Sequence, residues 1–83
     1  MPNEKVKIST ITRYNGKKIT QIENLPEEID QERLLKTFKR QFNCNGTIDN
    51  RSGTRLLLVA GDQRQNFMLY LKNILNIDDI EIL

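Results

Sequence analysis

Five consecutive apolar residues, Leu56-Leu57-Leu58-Val59-Ala60, present apolar side chains to both faces of any strand they form. Such a strand belongs in a sheet's interior with partners on both edges, and it predicts the central strand. The run is far short of the roughly 20 residues that cross a bilayer. No apolar stretch follows the opening Met-Pro-Asn-Glu-Lys either, so no secretory leader is visible and a cytoplasmic location is expected. The 83 residues predict one domain with one modest core, in which residues 1–12 include a short tail running into the first strand.

The remaining segments alternate between two periods. Residues 5–13 are rich in β-branched side chains and read as a strand. Asn15-Gly16 then gives a tight hairpin signal, because both residue types tolerate positive φ. Residues 18–23 return as a second strand, where Ile19 and Ile22 break strict alternation and predict a bulge or a short strand. Asp30 reads as a helix N-cap, followed by Leu34, Leu35, Phe38 and Phe42 at helical spacing, with a stop at Asn45-Gly46. Residues 47–51 and 54–60 are strands joined through the turn Asn50-Arg51-Ser52-Gly53. Gly61-Asp62 ends the second of these and caps a helix over 63–75, stopped at Asn76. Phe67, Met68, Leu71, Ile74 and Leu75 form its buried stripe. Ile80 and Ile82 mark a last strand. The order ββαββαβ predicts an α+β, two-layer fold, one sheet with both helices packed on one face.

The reactive groups narrow the chemistry. There is no His, and Cys44 is the only cysteine. A structural zinc site takes about four Cys or His ligands and a disulfide takes two cysteines, so neither is expected within one chain. Without His the commonest general base at neutral pH is missing, and the chain reads as a non-enzyme with no cofactor. Cys44, at the end of the first helix, reads as a small buried hydrophobe.

Net charge is close to neutral, with 13 Lys+Arg against 11 Asp+Glu, but the two signs are separated. On the first helix Arg33, Lys36 and Arg40 fall nearly opposite the apolar arc, with Lys39 on the flank and no acid between Arg33 and Phe42. Arg13, Lys17 and Lys18 surround the Asn15-Gly16 tip. Hairpin and helix together hold seven positive charges, a pattern that fits phosphate contacts and also fits a plain solvated surface. Eight acids lie elsewhere: Glu23, Glu27, Glu28, Asp30 and Glu32 around the first helix start, and Asp78, Asp79 and Glu81 in the tail. Arg64 has two readings, a structural arginine satisfying nearby carbonyls or a direct ligand contact.

Three strings in order resemble the eukaryotic translation initiation factor one family. They are Asn15-Gly16-Lys17-Lys18, Cys44-Asn45-Gly46-Thr47 after a helix ending Lys39-Arg40-Gln41-Phe42, and Gly61-Asp62-Gln63-Arg64 opening a helix after an apolar strand. The resemblance covers about residues 13–83. It implies a mixed five-stranded sheet with two helices on one face. It also implies a monomer that binds the small ribosomal subunit near the P site, promotes scanning and start-codon selection, and works among other initiation factors. By the resemblance, Asn15, Gly16, Lys17, Lys18, Lys36, Lys39 and Arg40 meet ribosomal RNA, and Arg13 and Arg33 extend that set by charge. The turn Asn50, Arg51, Ser52 and Gly53 faces initiator tRNA, and Gly61, Asp62, Gln63 and Arg64 bear on start-site stringency. That turn is about one residue shorter than the family's and carries a positive Arg51, so relaxed start-codon discrimination is expected. The alternative is a protein-interaction module that uses the acidic segments or Leu69 to bind initiation proteins without occupying the P site.

Overall fold

The computed structural model describes residues 5–13, 15–51 and 53–83, and of Arg51 and Thr54 the backbone alone. Seven elements follow one another: β1 (Val6–Thr12), β2 (Lys18–Glu23), α1 (Gln31–Phe42), β3 (Gly46–Arg51), β4 (Thr54–Ala60), α2 (Arg64–Leu75) and β5 (Ile80–Ile82). The strands form one mixed sheet in the order β3-β4-β2-β1-β5, antiparallel except for the parallel pair of β1 and β5. This is the α+β architecture the sequence pattern predicts. The apolar run does form an interior strand, between β3 and β2, but the middle place belongs to β2. β5 extends the β1 edge and shifts the centre by one strand.

Alternation along each strand sorts side chains between two faces. Val6, Ile8, Ile22, Leu57 and Val59 join Leu34, Leu35, Phe38, Phe67, Tyr70 and Leu71 in a single core, so both helices cover the same face. Phe38 sits at its centre, with ring centroids 4.4 Å from Phe67, 4.5 Å from Phe42 and 5.5 Å from an edge-on Tyr70. Such ring pairs add about 0.5–1.5 kcal/mol each to the burial of their area. Leu56 and Leu58 are out of phase with Leu57 and belong to the opposite face, yet both are buried. There Leu58 stands in register with Gln21 and Thr47, and Leu56 with Asp49. The unbroken apolar run thus serves two faces at once.

Several local expectations are corrected. The β1–β2 register runs unbroken from Lys7↔Glu23 to Thr12↔Lys18, so β2 has no bulge; Ile22 joins the core and Ile19 lies on the other face. Asp30 does cap α1, accepting the Arg33 N–H at 3.2 Å. The helix ends at Asn43, however, in a left-handed conformation with φ 51°, and not at Asn45-Gly46. The position before α2 is Gln63, whose side chain makes no cap bond; Asp62 Oδ1, one residue further out, accepts the Arg64 N–H at 3.4 Å. In α2 the rings pull Tyr70 into the core, while Ile74 turns outward and is 58% exposed.

Gly46 has a different task from the one expected. A Cβ there would stand 2.8 Å from the Leu58 carbonyl oxygen and 3.0 Å from Leu35 Cδ1 and Val59 Cγ1. The bare backbone lets the start of β3 press against β4 and α1 at once.

Each element from β1 to α2 crosses the domain once, so the connections alternate between two ends and β5 starts back beside Val6–Ile8. At one end, the Ala60 N–H donates to the Asn45 carbonyl and the Gly61 N–H to the Lys18 carbonyl, each at 2.8 Å. These bonds gather the β1–β2 hairpin, the α1–β3 link and the β4–α2 turn. At the other end lie the 24–30 loop, the β3–β4 turn and residues 76–79, where the Val6 N–H donates to the Asp79 carbonyl at 3.0 Å. Gly46→Ala is expected to lower stability by about 1–3 kcal/mol through overpacking, read as a shifted urea midpoint. An unchanged midpoint would show that the close approach can relax.

Candidate nucleic-acid interface

The hairpin is tied by its own backbone. The Gly16 N–H donates to the Arg13 carbonyl and the Arg13 N–H to the Lys17 carbonyl, both at 2.8 Å, and the Lys17 N–H donates to Asn15 Oδ1 at 3.2 Å. Gly16 supplies the left-handed φ of 80° that the turn needs. Arg13, Asn15, Gly16, Lys17 and Lys18 are all exposed, and Tyr14 lies outside the described residues. Arg13, Lys17 and Lys18 rim a depression floored by Ile19 and Ala60.

α1 runs towards this same end and delivers Lys39 and Arg40 in its last turn, where cations also complement the helix dipole. Lys36 and Arg40 are exposed and Lys39 is half-buried. Arg33 lies seven residues back from Arg40, about 10 Å along the axis. It lines a cleft with Glu28, Asp30, Tyr70 and Ile74 instead. Connectivity therefore puts the hairpin bases and the last turn of α1 at the same end of the domain, and Arg33 towards the other.

The Gly61–Arg64 motif joins the hairpin end through its backbone. Gly61 adopts φ 84°. Thr20 Oγ1 donates to the Gly61 carbonyl and accepts the Gln63 N–H, both at 2.7 Å. Arg64 donates from Nε to Asp62 Oδ1 at 2.9 Å, from Nη2 to Asp62 Oδ2 at 3.0 Å, and from Nη1 to the Leu83 carbonyl at 3.0 Å. Arg64 thus satisfies a nearby carbonyl, as its structural reading expects. Sequence reasoning missed Thr20, whose only signal was a hydroxyl residue in phase with the core position Ile22.

The turn Asn50–Gly53 is at the opposite end. Gly53 and Arg55 line a cleft with Leu25, Glu27 and Gln31. Ser52 and the Arg51 side chain lie outside the described residues. Glu27, Glu28, Asp30, Asp78 and Asp79 collect at this end by connectivity, and Asp79 Oδ1 stands 3.8 Å from Lys5 Nζ. The hairpin end thus carries bases, whereas this end carries acids together with Lys5, Arg33, Arg55 and Lys72. Among the described residues no three Cys, Asp or Glu side chains converge as a metal site, and no helix is long and apolar enough to cross a membrane. Cys44 is half-buried against the core, and burial pushes its thiol up against the opposing pull of Lys39. A thiol raised in this way is a poor nucleophile at neutral pH.

Hydrogen bonds from the Arg64 side chain, helped by the Arg64 and Lys18 charges, hold the Asp62 carboxyl below the usual carboxylate range. A pKa lowered by folding stabilises above the unfolded value, and that stabilisation is lost as pH falls through the folded value. An NMR titration should place the Asp62 midpoint below that of an ordinary aspartate, and Arg64→Gln should return it upwards. A midpoint indifferent to Arg64→Gln would exclude the pair as the cause.

The profile of the family described as translation initiation factor SUI1 matches residues 2–78. A protein translation factor SUI1 homolog of Acanthamoeba polyphaga mimivirus is 38% identical over 71 residues, covering 80% of this chain and 67% of the relative. Protein translation factor sui1 of Schizosaccharomyces pombe is 42% identical over 64 residues, covering 74% of this chain and 58% of its own length. Eukaryotic translation initiation factor 1 of Homo sapiens is 35% identical over 66 residues, 77% of this chain and 58% of the human one. The chain thus spans less than two thirds of the yeast and human relatives. With nearly the whole chain inside the family profile and the three motifs in place on the fold, this protein belongs to the SUI1 family of translation initiation factors.

Proposed function

We propose that the chain is a non-enzymatic initiation factor that docks its hairpin end on ribosomal RNA of the small subunit near the P site, supporting scanning and start-codon selection. The observation that carries this reading is the gathering of Arg13, Lys17, Lys18, Lys39 and Arg40 at one end, continued along α1 by Lys36. A slim basic hairpin reaches phosphates that a broad surface cannot, and phosphate contacts fix the orientation of the docked protein. The turn Asn50–Gly53, at the far end, then points away from the rRNA contacts towards the initiator tRNA neighbourhood. The acids at that end stay available to other initiation proteins.

Binding through phosphates weakens steeply with salt, by about a thousandfold between roughly 50 and 200 mM for some six contacts. Reversing Lys36, Lys39 and Arg40 together to Glu is expected to abolish binding to purified small subunits while the circular dichroism spectrum is kept. Reversal of Glu27, Glu28 and Glu32 to Lys serves as the control that leaves binding in place. A folded triple basic variant that still binds would overturn the assignment of the surface. Hydroxyl-radical footprinting would then report location and orientation together.

Arg51 brings a positive charge to the turn, which attracts tRNA phosphate and opposes release at mismatched codons. In cells that rely on this chain, a reporter should show UUG initiation several-fold above that seen with Arg51→Glu. Equal UUG initiation in the two would remove the charge from the account of fidelity.

A further inference from the structure

β4 pairs with β2 only as far as Ile19↔Ala60, so Arg13 and residues 15–18 of the hairpin extend beyond it with no third strand paired to them. An isolated two-stranded ribbon is marginal in water, and its direction is set by what holds its base. Three hydrogen bonds do so here. The Lys18 carbonyl accepts the Gly61 N–H at 2.8 Å, and Thr20 Oγ1 bonds both Gly61 and Gln63 at 2.7 Å. Among the described residues Thr20 is the one buried polar side chain, wholly out of contact with solvent. Gly61, in its left-handed conformation, turns its N–H and its carbonyl towards the same strand. On the far side of the turn Arg64 grips Asp62 and the Leu83 carbonyl, so the motif is fastened to β2 and to the residue after β5 together.

We infer that Thr20 is a positioning residue whose hydroxyl locks the basic hairpin to the Gly61–Arg64 turn, and that this motif governs docking by aiming Lys17 and Lys18 and not by touching RNA. The lock is a property of the fold; its effect on docking rests on the proposed ribosomal role. Thr20→Val keeps the shape and the strand preference but leaves the Gln63 N–H and the Gly61 carbonyl without the hydroxyl. Thr20→Ser keeps the bonds.

The test uses the full chain and two readouts. In amide hydrogen exchange, Gly61, Gln63, Arg13 and Gly16 should exchange about tenfold faster in Thr20→Val than in Thr20→Ser, after correction for global stability from the slowest α1 amides. A purely structural threonine would speed all amides alike. In binding to purified small subunits, Thr20→Val should weaken affinity about tenfold and flatten the salt dependence by one or two phosphates' worth, with Thr20→Ser restoring both. A merely structural role would leave the slope unchanged. Equal hairpin exchange in the two variants would overturn the lock, whatever the ribosome does. Faster exchange with unaltered affinity and slope would overturn its link to docking. If the unaltered chain fails to bind subunits, the proposed function and the docking consequence fall together, and exchange alone then judges the lock.

Discussion

The burial of one sheet face under two helices is the constraint from which the rest of this domain follows. To cover Ile8, Ile22, Leu57 and Val59, α1 and α2 must each run the length of the sheet. Their 12 residues give them about 18 Å to do it. No chain reversal can then fall midway. Six crossings in succession, from β1 to α2, send the first, third and fifth connections to one end and the second, fourth and sixth to the other. Linear order becomes spatial polarity with no further instruction.

Charge is distributed in step with that alternation. The first connection and the last turn of α1 bring in bases, while the second and sixth connections bring in acids. Asp62, the acid of the fifth connection, is paired with Arg64 and so does not offset the basic end. The acids at the α1 start also face the positive end of its dipole, which steadies the helix while keeping negative charge far from the hairpin. A near-neutral chain can therefore still present a local cluster of bases to a polyanion.

Much of this was legible beforehand because periodicity reports faces. The apolar arc of α1, the Asp30 cap and the two-faced run at 56–60 all carry local signals that survive into the fold. The errors arose where tertiary contacts decide. Asn43 and Asn45-Gly46 are equally good stops by residue type, and only the crowding of Gly46 against Leu58, Leu35 and Val59 shows that the glycine is needed for packing. Tyr70 displaces Ile74 from the α2 stripe because three rings already wait for it on α1 and α2. That Arg40 and not Arg33 lies at the hairpin end, with the Asn50–Gly53 turn at the other, could not be seen before the direction of each crossing was known. Thr20 was invisible for the same reason: its partners lie 41 and 43 residues away.

The parallel pairing of β1 and β5 has a bearing on how the chain folds. Val6 meets Ile80 in that ladder, across nearly the whole length of the chain. Every other strand pair is antiparallel, and β1–β2 and β3–β4 are closed by short turns, so they can form early with little loop entropy to overcome. The three residues of β5 are expected to dock last, on a surface the other four strands have already prepared. Arg64, which reaches the Leu83 carbonyl from the first turn of α2, then acts as the latch of that final step.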